Sequence, residues 1–72
     1  MKFDIEFCVK WNYQPEFDRV SKLIKELYPK ALIIGNENQP RTGAFEVKLD
    51  NRLIFSKLKM KCFPSKEEIF KW

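Results

Sequence analysis

The chain contains no histidine. That removes the commonest general base, the Ser-His-Asp and Cys-His catalytic arrangements, and nearly every zinc-ligand pattern. Glycine occurs only at Gly35 and Gly43, so neither a P-loop nor a dinucleotide-binding glycine fingerprint can be written here. Cysteine also occurs twice, at Cys8 and Cys62, too few for a closed four-ligand metal site without histidine. Long apolar runs are missing too. The longest stretch free of charge, Ala31–Asn36, has six residues, against about 20 for a membrane span. The N-terminal residues carry Asp4 and Glu6 where a secretory leader has its apolar block. Reduced thiols, a cytoplasmic location and no membrane partner are the expectations.

What is present fits one small globular domain over residues 1–72. Hydrophobic residues make up 44% and charged residues 33%, which is neither a disordered tail nor a membrane protein. Fourteen Lys and Arg face ten Asp and Glu, for a formal charge of +4. Residues 1–47 hold seven charges of each sign, so the whole excess falls in residues 48–72. That mild basic patch attracts anions. With three arginines and no basic helix, it does not predict a nucleic-acid partner.

Residues 2–9 alternate, with Phe3, Ile5 and Phe7 on one face and Lys2, Asp4 and Glu6 on the other, which predicts a strand with one buried face. The same period sets Cys8 off the Phe3–Phe7 face, unless the following loop turns it. Pro15 starts a helix to about residue 28, with Phe17, Val20, Leu23, Ile24 and Leu27 as its apolar stripe. Asp18 and Lys22 form an i,i+4 pair on it, and Tyr28-Pro29 ends it. Ala31–Ile34, apolar throughout, reads as a strand covered on both faces. Gly43–Leu49 and Arg52–Leu58 read as a hairpin joined by Asp50-Asn51. Lys57, Lys59 and Lys61 then share one face of the extended edge. There they either meet an anion, such as the carboxylate of glutathione, or block pairing with another chain. Ser65 caps a short final helix of two turns, with Trp72 packing at its end. The order β-α-β-β-β-α gives an α/β fold (an α+β sandwich) whose four-stranded mixed sheet runs 2-1-3-4.

Without histidine, chemistry falls to cysteine. Cys8 ends the first strand, where α/β folds place reactive groups, ahead of a helix whose amides favour a thiolate, with Lys10 nearby. The alternative is a cysteine acting as a small core hydrophobe. Trp11 stands where a CxxC motif would put its second thiol, so a local dithiol mechanism is absent. Cys62 falls at the same end of the domain as Cys8, with one strand between them. It is a candidate resolving thiol, an independent thiol or an inert residue. Trp11, Tyr13 and Phe63 form either an aromatic rim for a partner protein or a cap on a small core.

These residues resemble the selenoprotein W-related (Rdx) family of small thioredoxin-like proteins. The resemblance rests on a strand ending in Cys8, on Tyr13 and the helix with Leu23, on Leu27-Tyr28-Pro29, and on Thr42-Gly43-Ala44-Phe45-Glu46-Val47. Ile54-Phe55-Ser56-Lys57 and Phe63-Pro64 follow in the family's order. The resemblance implies a thioredoxin-like fold without a bound cofactor, and thiol-redox activity linked to glutathione as co-substrate or to thioredoxin. It implies contact with a partner protein or a disulfide substrate through Lys10, Trp11, Tyr13, Thr42, Gly43 and Phe63. Cys8 matches the family's first motif cysteine, and Trp11 replaces its second Cys or Sec. A final helix shorter than the family's leaves sheet surface open for a partner, including a second copy of the chain.

Overall fold

The computed structural model describes all 72 residues. Strand β1 (Lys2–Phe7) buries Phe3, Ile5 and Phe7 on one face, as the alternation requires. Helix α1 (Gln14–Leu27) carries Pro15 in its first turn, where a missing N–H costs nothing, and buries Val20 and Ile24. It crosses to β2 (Leu32–Gly35), which lies parallel to β1 with Lys2 beside Leu32 and Ile5 beside Gly35. Strands β3 (Phe45–Leu49) and β4 (Arg52–Ser56) form an antiparallel hairpin, and β3 pairs antiparallel with β1. The sheet order is β2-β1-β3-β4, as expected from the sequence. Asp50 and Asn51 make the hairpin turn with φ of 48° and 72°, the positive pair that matches the twist of the strands. Two single-turn helices follow, α2 (Lys57–Met60) and α3 (Lys66–Ile69).

The core lies on one face of the sheet. Phe3, Ile5, Phe7, Phe45, Val47 and Phe55 meet Val20 and Ile24 of α1 and Ile69 of α3. Each such side chain contributes about 1.5–3 kcal/mol by leaving water. Trp72 closes one end, with its ring near Phe3 and Phe55 and its carbonyl accepting from the Tyr28 hydroxyl at 2.6 Å. The opposite sheet face carries Asp4, Glu6, Glu46 and Lys48 around a polar cleft of about 330 Å³.

Four sequence expectations need correction. Strand β2 is not covered on both faces: Ile33 and Ile34 are half-buried, but Leu32 is 57% exposed. The lysines at 57, 59 and 61 do not line an extended edge. Strand β4 ends at Ser56, whose hydroxyl caps α2 by accepting from Lys59 N, and the Glu46 carboxylate accepts from Leu58 N at 3.3 Å. A cap and an anion at its first turn make that segment helical, and Lys61 leaves it with φ 64°. The final helix, capped by Ser65 as expected, makes one turn rather than two. On α1 the ion pair is Glu16–Arg19, while Asp18 accepts from Gln14 instead of pairing with Lys22.

Candidate functional site

Cys8 is the first residue beyond β1, and its N–H still bonds to Ala44 O at 2.9 Å. The chain then turns tightly, with Asn12 N on Val9 O and Tyr13 N on Cys8 O, both at 2.9 Å. Asn12 takes φ 56° to make this possible. Period two continued past Phe7 would keep Cys8 off the buried face. Cys8 is nonetheless only 1% exposed, buried outside the cluster that holds Phe3, Ile5 and Phe7. The same turn brings the backbone N–H of Trp11 to 3.3 Å from Cys8 Sγ. A donor aimed at sulfur is the contact that stabilises negative charge there during exchange.

The Cys8 backbone is held from both sides. Ala44 holds it from β3. From the β2 side, the Asn36 side chain acts as an extra rung of sheet: Oδ1 accepts from Phe7 N at 2.8 Å and Nδ2 donates to Phe7 O at 3.0 Å. Asn36 reaches this pose with φ 47°, a region asparagine tolerates better than most residues. The sequence reading did not single it out. Its one signal is an asparagine directly after Gly35, where the strand ends.

Around the thiol, the structure joins Trp11, Tyr13 and Phe63 into one edge-to-face series. Trp11 and Tyr13 have ring centroids 6.3 Å apart, Tyr13 and Phe63 4.8 Å, and Phe63 and the buried Phe45 5.4 Å. Tyr13 and Phe63 are half-buried, so they cap the core as well as border the site. Trp11 and Val9 are the exposed part, at 55% and 64%. Lys57 Nζ lies 5.2 Å from the Tyr13 ring centre and 5.3 Å from that of Phe63, a cation–π position that the reading of Lys57 as an edge guard missed. Gly43 is buried beneath the Trp11 ring with φ 76°. Thr42 and Lys10 are exposed at the margins. Cys62 is exposed beside Phe63, and both cysteines are free thiols.

The open sheet face bears a second arrangement. Glu6 of β1 lies directly opposite Glu46 of β3, a like-charge pair that strands avoid. Arg41 resolves it from the β2–β3 loop. Its guanidinium donates to both oxygens of Glu6 at 3.0 Å, its backbone N–H donates at 2.7 Å, and its Nη2 lies 3.9 Å from Glu46. The Arg41 hydrogen bond, helped by the Arg41 and Lys48 charges, outweighs burial and holds the Glu6 carboxyl below its usual range. A carboxylate lowered on folding stabilises the fold above its unfolded pKa, about 4.3, and loses that contribution as pH falls through the lower folded value. The Arg41 amide is therefore expected to exchange with solvent faster as pH is lowered below about 4, relative to strand amides, once intrinsic exchange rates are divided out. Arg41→Met, which removes the guanidinium but keeps the backbone N–H, should move that step to higher pH in hydrogen-exchange NMR.

A mixed sheet in order 2-1-3-4, with a cysteine at the end of the first strand ahead of the first helix, defines a thioredoxin-like protein. A solved selenoprotein W-related protein from Vibrio cholerae superposes with a TM-score of 0.80, covering 97% of this chain and 88% of that one at 17% identity. The Rdx family model matches residues 2–72, and the chain belongs to that family. Selenoprotein W of Danio rerio is 31% identical over 58 residues, covering 79% of this chain and 67% of the relative. Migration and invasion enhancer 1 of Bos taurus is 31% identical over 68 residues, covering 90% of this chain. The chain spans 55% of that relative's length. The family is associated with thiol-redox chemistry. No helix is long and apolar enough to cross a membrane.

Proposed function

We propose that the protein is a single-cysteine thiol-redox protein that exchanges disulfides with glutathione in the cytoplasm. The observation that carries this is Cys8 Sγ at the end of β1, accepting the Trp11 N–H at 3.3 Å, with an indole where the second thiol of a dithiol motif would stand. The Cys8 thiolate attacks the sulfur of a glutathione-capped substrate, forming a Cys8–glutathione disulfide and releasing the substrate thiolate. A second glutathione thiolate then attacks that mixed disulfide, giving oxidised glutathione and regenerating Cys8. Alternatively Cys62 attacks it, forming a Cys8–Cys62 disulfide and releasing glutathione. Both routes conserve electrons without a metal or bound cofactor.

The test is equilibration in glutathione buffers of graded redox poise, alkylation of free thiols and localisation of each modification by peptide mass spectrometry. One glutathione adduct on Cys8, or a Cys8–Cys62 disulfide, is the expected result, and Cys8→Ser should abolish both. A protein in which Cys62 alone is modified sinks the redox reading.

A second reading is favoured by the exposed Val9 and Trp11 beside Lys10. Here the Cys8/Trp11/Phe63 end is an adaptor surface for a partner protein and no electrons move. The name of the mammalian relative, an enhancer of migration and invasion, fits either an adaptor or a redox role.

A further inference from the structure

We infer that the Trp11 indole is a gate over the Cys8 thiol, so that exchange requires a local opening of the 8–13 turn. The inference rests on the reading of Cys8 as the reacting thiol. Disulfide exchange needs sulfur to touch sulfur, yet Cys8 is 1% exposed. Its backbone cannot readily swing out, because the Cys8 N–H is bonded to Ala44 and the N–H and carbonyl of Phe7 before it are both held by Asn36. The cover must move instead.

Trp11 is that cover. Its backbone N–H lies 3.3 Å from Sγ, and its ring packs on the turn before β3, where a β-carbon on Gly43 would fall 2.8 Å from Cζ3. The ring thus bridges the two loops that flank Cys8, packed against a residue without a side chain. It is held loosely on its other side: Trp11 is 55% exposed and touches Tyr13 only edge-on at 6.3 Å. The turn beneath it spans the six residues Cys8 to Tyr13, with Asn12 at positive φ. Moving such a ring sacrifices little of the core, which is centred on Phe3, Ile5 and Phe45. The reactivity of Cys8 is then its intrinsic reactivity multiplied by the open fraction. A substrate with an apolar group beside its disulfide can take the indole's place or hold it aside, so such substrates are favoured over free glutathione disulfide.

Cys62 supplies an internal standard, being an exposed thiol in the same molecule. Native protein is treated with iodoacetamide, and both sites are followed by peptide mass spectrometry. Cys8 is expected to react at least about tenfold more slowly than Cys62. Trp11→Ala should raise the Cys8 rate about tenfold without changing Cys62, and Trp11→Phe should fall between. If Trp11→Ala compromises folding, the native protein still decides the matter in low denaturant. A local gate gives a Cys8 rate nearly independent of denaturant, whereas exposure by global unfolding follows the full unfolding slope. A native Cys8 as fast as Cys62, an unchanged rate in Trp11→Ala, or a rate that tracks global unfolding would each overturn the gate. Alkylation reads access and the glutathione adduct reads exchange, so a gated Cys8 that takes no glutathione defeats the redox reading alone.

Discussion

Phe45→Ala is expected to lower the melting temperature by at least about 12 °C and to leave a large unfolded fraction at 37 °C. Phe45 is fully buried at the β1–β3 pairing, opposite Phe7, and receives the Phe63 ring edge-on. Removing a buried phenylalanine costs about 3–5 kcal/mol, because the emptied volume closes only in part. At about 0.05–0.15 kcal/mol per residue, a chain of this length has a total stability of about 4–11 kcal/mol. One substitution therefore consumes about a quarter of it or more. Phe63→Ala removes a half-buried ring from the rim of the same cluster and should cost only about 1–2 kcal/mol. Thermal unfolding followed by far-UV circular dichroism separates the two. Equal losses at both positions would mean that the core is not centred where the packing places it. Phe63→Ala also releases Tyr13 from its closest aromatic partner while the fold survives, which makes it the variant for asking whether the aromatic series orders the turn around Cys8.

The parts of this structure legible in the sequence are those set by periodic burial. Phe3, Ile5 and Phe7 specify β1, and Phe17, Val20, Leu23, Ile24 and Leu27 specify the α1 stripe, because a strand and a helix present different periods to the same core. The sheet order followed from connection rules applied to those elements. What the sequence hid was decided by single polar groups acting over long separations. Glu46 and Ser56, ten residues apart, turn Lys57–Met60 into a helix, and no local pattern at 57–62 announces an anion arriving from β3. Asn36 completes a sheet rung with its side chain, a role that leaves no periodic trace. Apolar Ala31–Ile34 resembled a doubly covered strand because the helices pack on one face of the sheet only, which leaves Leu32 exposed. Cys8, Trp11, Tyr13 and Phe63 were found by residue type and by likeness to a family. Their junction depended on Asn12 entering the left-handed region, which lets the chain turn tightly between the end of β1 and the start of α1. A chain with two glycines meets its need for such backbone with Asn12, Asn36, Asp50 and Asn51. Asparagine and aspartate were thus the signal for its tight turns.

Gly43→Ala is expected to destabilise the protein by about 2 kcal/mol, the sum of two separable effects. The first is backbone strain. Gly43 has φ 76°, and an L-residue with a β-carbon pays about 1–2 kcal/mol to remain in that region. The second is displacement of Trp11. The added methyl would lie 2.8, 3.3 and 3.4 Å from three atoms of the indole six-membered ring, so the ring must shift as a body. An exposed aromatic that loses one packing face forfeits about 0.5–1 kcal/mol. A double-mutant cycle separates the terms: in a Trp11→Ala background the steric part vanishes and the backbone part remains, so Gly43→Ala should cost about 0.5–1 kcal/mol less there. Gly43→Asn gives the converse measurement. Asparagine tolerates positive φ, as Asn12, Asn36 and Asn51 show in this chain, but it keeps the offending β-carbon. Its loss should be smaller than that of Gly43→Ala, and mostly steric. Chemical denaturation of the four proteins of the cycle, with Gly43→Asn as a fifth, provides the numbers. If Gly43→Ala costs the same whether or not Trp11 is present, the indole is not packed on residue 43, and the bridge between the two loops around Cys8 does not exist.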